Sequence, residues 1–121
     1  MTVQDTLQAL GITRNYRGCL RAAAAIELVL EDEDRLEAVT KEIYLEVAQR
    51  CHCNWYAVER NIRTVVQRAW HVNRPLLTQM AGYPMDAPPT ASEFIAIVAN
   101  YIRRAGAQEG QAQPQPDGVA Q

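Results

Sequence analysis

The clearest periodicity in the chain lies in residues 55–72. Val58, Ile62, Val65, Val66 and Ala69 recur at i, i+4, i+7, i+8 and i+11, the spacing of a helix with one buried face. At about 100° per residue, Tyr56, Arg60, Arg63 and Gln67 fall on the opposite side, with Glu59 and Thr64 flanking them. Asn54 stands where an N-cap is expected. Just upstream, Thr40 to Arg50 predicts a shorter helix, with Ile43, Val47 and Ala48 toward the core and Tyr44 beside them. The two are separated only by Cys51, His52 and Cys53. Two helices joined by a tight turn, the second presenting basic and amide side chains outward, form the arrangement of a helix-turn-helix DNA reader.

The rest of the chain is helical too. Residues 2–10 place Val3, Leu7 and Leu10 on one side, and Gly11 can end that helix in the left-handed conformation. After a loop from Ile12 to Arg17, residues 18–31 are rich in Ala and Leu, with Leu20, Ala24, Ala25, Leu28 and Val29 assigned to the core. The acidic run 31–34 ends that helix or opens a short turn. Arg74-Pro75 begins a brief helical segment that runs through Met80 and stops at Gly82, followed by an extended YPMDAPP loop. Thr90-Ala-Ser-Glu93 is a capping box opening a helix over 91–104, whose inner side carries Phe94, Ile97, Val98, Tyr101 and Ile102. Residues 105–121 lack hydrophobic period and predict a disordered Gln/Pro-rich tail. No segment reads as a strand. The expectation is one all-α domain over 1–104, a compact bundle of about six helices containing a helix-turn-helix motif.

Composition narrows the function. The chain has 121 residues, 48% of them apolar, enough for one core. Its net charge of −2 works against nucleic-acid binding, but the total hides an asymmetry. Residues 27–37 hold Glu27, Glu31, Asp32, Glu33, Asp34 and Glu37 against Arg35 alone. Residues 40–74 hold Lys41, Arg50, Arg60, Arg63, Arg68 and Arg74 against Glu42, Glu46 and Glu59. Such a layout can present one face to phosphate and keep the other solvated, although both runs are equally compatible with ordinary solvated helix faces. Lys41 is the single lysine; arginine is the better fork for guanine or phosphate.

No apolar run approaches a membrane span, and the N-terminus lacks the basic and apolar regions of a signal peptide, so a cytoplasmic protein with reduced Cys19, Cys51 and Cys53 is expected. Cys51-His52-Cys53 with His71 invites a metal reading, but the C-x-C spacing is too tight for a usual zinc set, and Cys51 reads better as a small packing residue. No Gly-rich phosphate loop, nucleophile elbow or paired carboxylate frame suggests catalysis, and the one serine, Ser92, sits at a helix start. No enzyme, metal or cofactor is expected.

Several blocks in order resemble one known family. They are LGI followed by Arg17-Gly18, AIELV at 25–29, VTKEIY at 39–44, AVERNIR at 57–63, Ala69-Trp70, Gly82-Tyr83 and PTASEFIAIVANYIR at 89–103. Together they resemble the C-terminal effector domain of stage-zero sporulation protein A, the response regulator controlling entry into sporulation, over about Leu7 to Arg104. The resemblance implies a six-helix domain whose recognition helix spans 54–72, with DNA contacts from Glu59, Arg60 and Arg63. It also implies a short promoter box as target, RNA polymerase as a partner met through another face, and head-to-tail pairing of copies on adjacent boxes. The chain departs from the pattern at Tyr56 and Ala57, where the family often has Ser then Arg, and at Thr64, where it commonly has His. It is also plainer over Arg21 to Ala24 and about one residue shorter between Trp70 and Gly82.

The family's regulator carries an N-terminal receiver domain, whereas this chain begins almost at the effector. That start fits an excised effector or a stand-alone one, and the tail favours the latter.

Arg60 is the first candidate for a base contact, as a fork to guanine O6 and N7. Its plain alternative is an exposed helix arginine beside Tyr56 or Thr64. Arg63 is a candidate for base or phosphate, and Glu59 either accepts from cytosine N4 or orients Arg63. Gln67 and Arg68 are placed to reach phosphates. Asn54 and Tyr56 sit at the positive end of the helix dipole, and Lys41 begins the first motif helix. The competing function is a receiver-less interaction adaptor that retains the fold without specific DNA binding.

Overall fold

A computed structural model describes residues 2–16 and 18–112, with side chains described through 106. Helix α1, Val3–Ala9, begins at a reciprocal capping box. The Thr2 hydroxyl accepts from the Asp5 N–H at 3.0 Å, and the Thr2 N–H donates to the Asp5 carboxylate at 3.2 Å. That backbone donor, then the Thr2 hydroxyl, holds the Asp5 carboxyl below its ordinary range. Helix α2 spans Cys19–Glu31. A 3₁₀ helix, Glu33–Ala38, links it to a single π turn, Thr40–Tyr44, that runs directly into α3, Leu45–Cys51. Helix α4 covers Trp55–Ala81 and α5 covers Ala91–Ala112. Counting the π turn with α3, the described residues form six helical segments and no strand, an all-α bundle.

The core gathers where α2, α4 and α5 meet, around Leu28, Ile62, Val65, Val66, Leu77, Phe94, Ile95 and Val98, all fully buried. Each such side chain contributes roughly 1.5–3 kcal/mol on leaving water. Ile43, Val47 and Ala48 seat α3 against this core, as their spacing predicts.

The phase of α2 differs from expectation. Leu20 is 65% exposed and Ala24 only half-buried, while Cys19, Ala22, Ala23 and Ile26 join Ala25, Leu28 and Val29 inside. In a run of alanines every face is equally apolar, so the larger Ile26 and Val29 set the rotation. Leu20 then falls on the outer edge with Glu27 and Glu31.

Helix α4 contains one break. Asn73 has φ −146° and ψ 60°, two residues before Pro75, which lacks the N–H of a continuous helix and whose ring would clash with the carbonyl four residues back. The Asn73 side chain bridges the gap. Its Oδ1 accepts from the Leu76 N–H at 3.3 Å, and its Nδ2 donates to the Ala9 carbonyl at 3.0 Å. The end of α1 is thereby tied to the break. Gly82 closes the second segment with φ 83°, where the sequence places the stop.

The predicted capping box at the start of α5 is present, with Thr90 N–H to Glu93 at 2.8 Å and Glu93 N–H to the Thr90 hydroxyl at 3.2 Å. The helix does not end at Arg104 as expected; it continues to Ala112. Residues 105–112 hold three alanines, two glutamines and a glutamate; Gly106 and Gly110 weaken the helix without ending it, and the first proline after Arg104 is Pro114. The remainder of the expected tail, 113–121, lies outside the described residues.

Two glycines are required by close approach. Gly11 has φ 92° and packs against Val72, whose Cγ1 lies 2.6 Å from where a Cβ would stand. At Gly18 a Cβ would meet Val65 Cγ2 at 2.7 Å and the Asn61 carbonyl oxygen at 2.8 Å, so α2 begins in near-contact with the backbone of α4. Because a carbonyl cannot rotate away as a side-chain tip can, Gly18→Ala is expected to destabilise the fold by about 1–3 kcal/mol. A urea midpoint equal to wild type would show that α2 is not held this close.

Candidate nucleic-acid interface

Helix α3 ends where His52 turns left-handed, at φ 55° and ψ 48°. The Cys53 N–H reaches back to the Ala48 carbonyl at 3.0 Å, and α4 restarts at Trp55. The connectivity is therefore helix, tight turn, helix. The buried stripe of the second helix is Val58, Ile62, Val65, Val66 and Ala69, and it turns the other side to solvent. Tyr56, Arg60, Arg63, Thr64, Gln67 and Arg68 are exposed along that side, and Glu59 is half-buried at its edge. Asn54 and Lys41 are exposed nearby.

These side chains differ in how they are held. The Arg60 guanidinium makes no hydrogen bond or ion pair among the described residues; only its carbonyl is engaged, accepting from the Thr64 hydroxyl at 3.1 Å. Arg63 is ion-paired one turn back with Glu59. Arg68 donates from Nε to the Gly11 carbonyl at 3.1 Å and lies 5.5 Å from the centre of the Tyr16 ring. Asn54 has the extended backbone of an N-cap, φ −89° and ψ 151°, but its side chain makes no capping bond. Its Nδ2 donates instead to the Tyr56 hydroxyl at 2.8 Å. The expected side-chain cap is therefore absent: the side-chain amide turns to the nearby phenol, and only the Asn54 backbone carbonyl accepts from the first turn of α4, from the Ala57 N–H at 3.0 Å and the Val58 N–H at 3.3 Å. Trp55 packs edge-on against Tyr56 at 5.9 Å.

The family model for the sporulation initiation factor Spo0A C terminal matches residues 3–102, from the start of α1 to the middle of α5. The chain belongs to this family. The Spo0A C-terminal match covers α3, the turn and the whole exposed ridge of α4, so that ridge lies inside the family's shared domain.

Tyr44 and Asn61 escaped the sequence reading as members of this surface. Tyr44 is buried beneath the outer edge of α4, and burial pushes its phenol up to about 12, with the Glu59 charge adding to the rise and Arg63 opposing it. Its position beside the apolar Ile43 and Val47 was legible, but its electrostatic link to Glu59 and Arg63 depends on how α3 packs on α4. Asn61 lies on the opposite edge, where its Oδ1 accepts from Arg21 Nη1 across forty residues of sequence. Among the described residues no group of three or more His, Cys, Asp or Glu could hold a metal ion, and no helix is long and apolar enough to cross a membrane.

Because the folded phenol holds its proton more tightly than an unfolded one, Tyr44 contributes stability below pH 10 that is lost as pH rises toward 12. An ultraviolet phenolate titration should show a late step near pH 12 that disappears in Tyr44→Phe and moves down in Glu59→Gln. Titration of Tyr44 near pH 10 would contradict this packing.

Proposed function

We propose that the chain is a sequence-specific DNA-binding transcription regulator in which α4 enters the major groove of a promoter box. The observation that carries this reading is the uncommitted guanidinium of Arg60 at the crest of a helix whose opposite face is locked into the core. A B-form major groove about 12 Å wide accepts a helix of about 10–12 Å. A planar fork with free N–H groups matches guanine O6 and N7.

In this reading Arg60 supplies the principal base contact. Arg63 reaches a base or a phosphate from a position set by Glu59. Thr64 and Gln67 continue the ridge along the groove, and Tyr56 with Asn54 meets the strand at the start of the helix. Arg68 and Lys41 serve the phosphates. Following the family pattern, a monomer would pair with a second copy on tandem boxes, meet RNA polymerase through another face, and work in the cytoplasm.

Arg60→Ala should weaken binding to the preferred duplex by about 1–3 kcal/mol and relax preference at one base position, with little change on random duplex. A randomised-duplex selection followed by titration of both proteins checks this. Equal affinities of wild type and variant for both duplexes would remove Arg60 from the role. If the wild-type chain fails to bind any duplex at low salt, the fold acts instead as an interaction adaptor.

A further inference from the structure

We propose that the edge of α4 facing α2 is a clamp for the DNA backbone, in which Arg21 and Arg68 grip phosphates beside the box. It rests on the DNA-reading function above and identifies which groups hold the strand alongside the groove.

The partners of the arginines divide the surface into two kinds. Arg63 pairs with Glu59, Arg50 with Glu46, Arg35 with Glu42 and Arg103 with Glu33. In each case a carboxylate cancels the charge. Arg21, Arg68, Arg74 and Arg104 are held by neutral acceptors instead, and of these Arg21 and Arg68 lie along the α2 side of α4. Arg21 Nη1 donates to the neutral amide oxygen of Asn61, and Arg68 Nε donates to the Gly11 carbonyl while its plane lies over Tyr16. Neither pairs with a carboxylate among the described residues. Sequence reinforces the division: residues 6–26, the stretch that supplies Arg21 and the Gly11 carbonyl, contain no Asp or Glu. A guanidinium fixed by neutral acceptors keeps its full charge, and each retains further N–H donors beyond the one engaged.

The placement suits phosphate. At about 100° per residue, Asn61 and Arg68 lie roughly 80–100° around α4 from Arg60, both on the same side, while Glu59 lies on the other. A helix filling the groove turns its crest to the bases and its flanks to the two sugar-phosphate strands. The α2 flank therefore presents uncancelled positive charge to one strand. The close approach at Gly18 is what carries Arg21 to Asn61, since α2 starts in contact with the α4 backbone at that level.

The salt dependence of duplex affinity tests this, measured for wild type, Arg21→Gln, Arg68→Gln and Asn61→Asp on a duplex recovered from a randomised pool and on random duplex. Each Arg→Gln variant should reduce the slope of log K against log salt by about 0.9, one phosphate's worth. Affinity for both duplexes should fall by a similar factor, leaving their ratio unchanged. Asn61→Asp is the decisive variant. It keeps the contact to Arg21 as an ion pair, so the urea midpoint should hold or rise, yet the slope and affinity should fall because the charge is cancelled. A purely structural role for the Arg21–Asn61 contact would leave Asn61→Asp binding like wild type, and that result would overturn the clamp. So would a loss confined to the preferred duplex. If Arg21→Gln fails to fold, Asn61→Asp still decides. A wild-type chain without salt-dependent binding would instead overturn the DNA-reading function itself, whereas normal wild-type binding with an indifferent Asn61→Asp overturns the clamp alone.

Discussion

The burial of one face of α4 is the constraint on which the rest depends. Val58, Ile62, Val65, Val66 and Ala69 have no exposed surface, and α2, α3 and α5 all pack against that helix. Rotating α4 by even one residue position, about 100°, would pull several branched side chains into water at roughly 1.5–3 kcal/mol each. The direction of Arg60, Gln67 and their neighbours is therefore set by the core rather than by the surface residues themselves. A rigid platform of this kind suits recognition, because side chains on a helix fixed by packing lose less freedom on binding than those on a loop.

Charge is distributed around that platform with the same logic. The acidic residues from Glu27 to Glu37 lie at the far end of α2 and in the 3₁₀ helix, where Arg103 pairs with Glu33, while Arg35 reaches out of the run to Glu42. The α3 edge of α4 is balanced by the Glu59–Arg63 pair, and the α2 edge carries arginines with neutral partners. A net charge of −2 is thus the sum of unlike surfaces, and the sum says little about either.

Much of this organisation is legible in the sequence because it rests on local rules. The capping box at Thr90 and Glu93, the break before Pro75, the stops at Gly11 and Gly82, and the core stripe of α4 each follow from residues within one or two turns of each other. The misreadings have equally definite causes. Four consecutive alanines carry no rotational information, so the phase of α2 and the exposure of Leu20 depend on tertiary packing. Asn54 sits at the right backbone position, but whether its amide caps the helix or meets Tyr56 is a competition that spacing cannot settle. The continuation of α5 past Arg104, through Gly106 and Gly110, reflects the absence of a proline rather than a positive signal. Of the candidate interface, the ridge followed from periodicity. The Arg21–Asn61 and Arg68–Gly11 contacts join segments far apart in sequence, and no local pattern announces them.

The central claim is that the solvent side of α4, together with its α2 edge, is the surface that meets double-stranded DNA. An amide and side-chain NMR titration of the full chain with duplex tests it most directly. The account predicts shifts concentrated at Tyr56, Arg60, Thr64 and Gln67, extending to Arg21 and Asn61, with the acidic residues 31–37 silent. Shifts centred on the acidic segment or on the outer face of α5, with the α4 ridge unmoved, would contradict it.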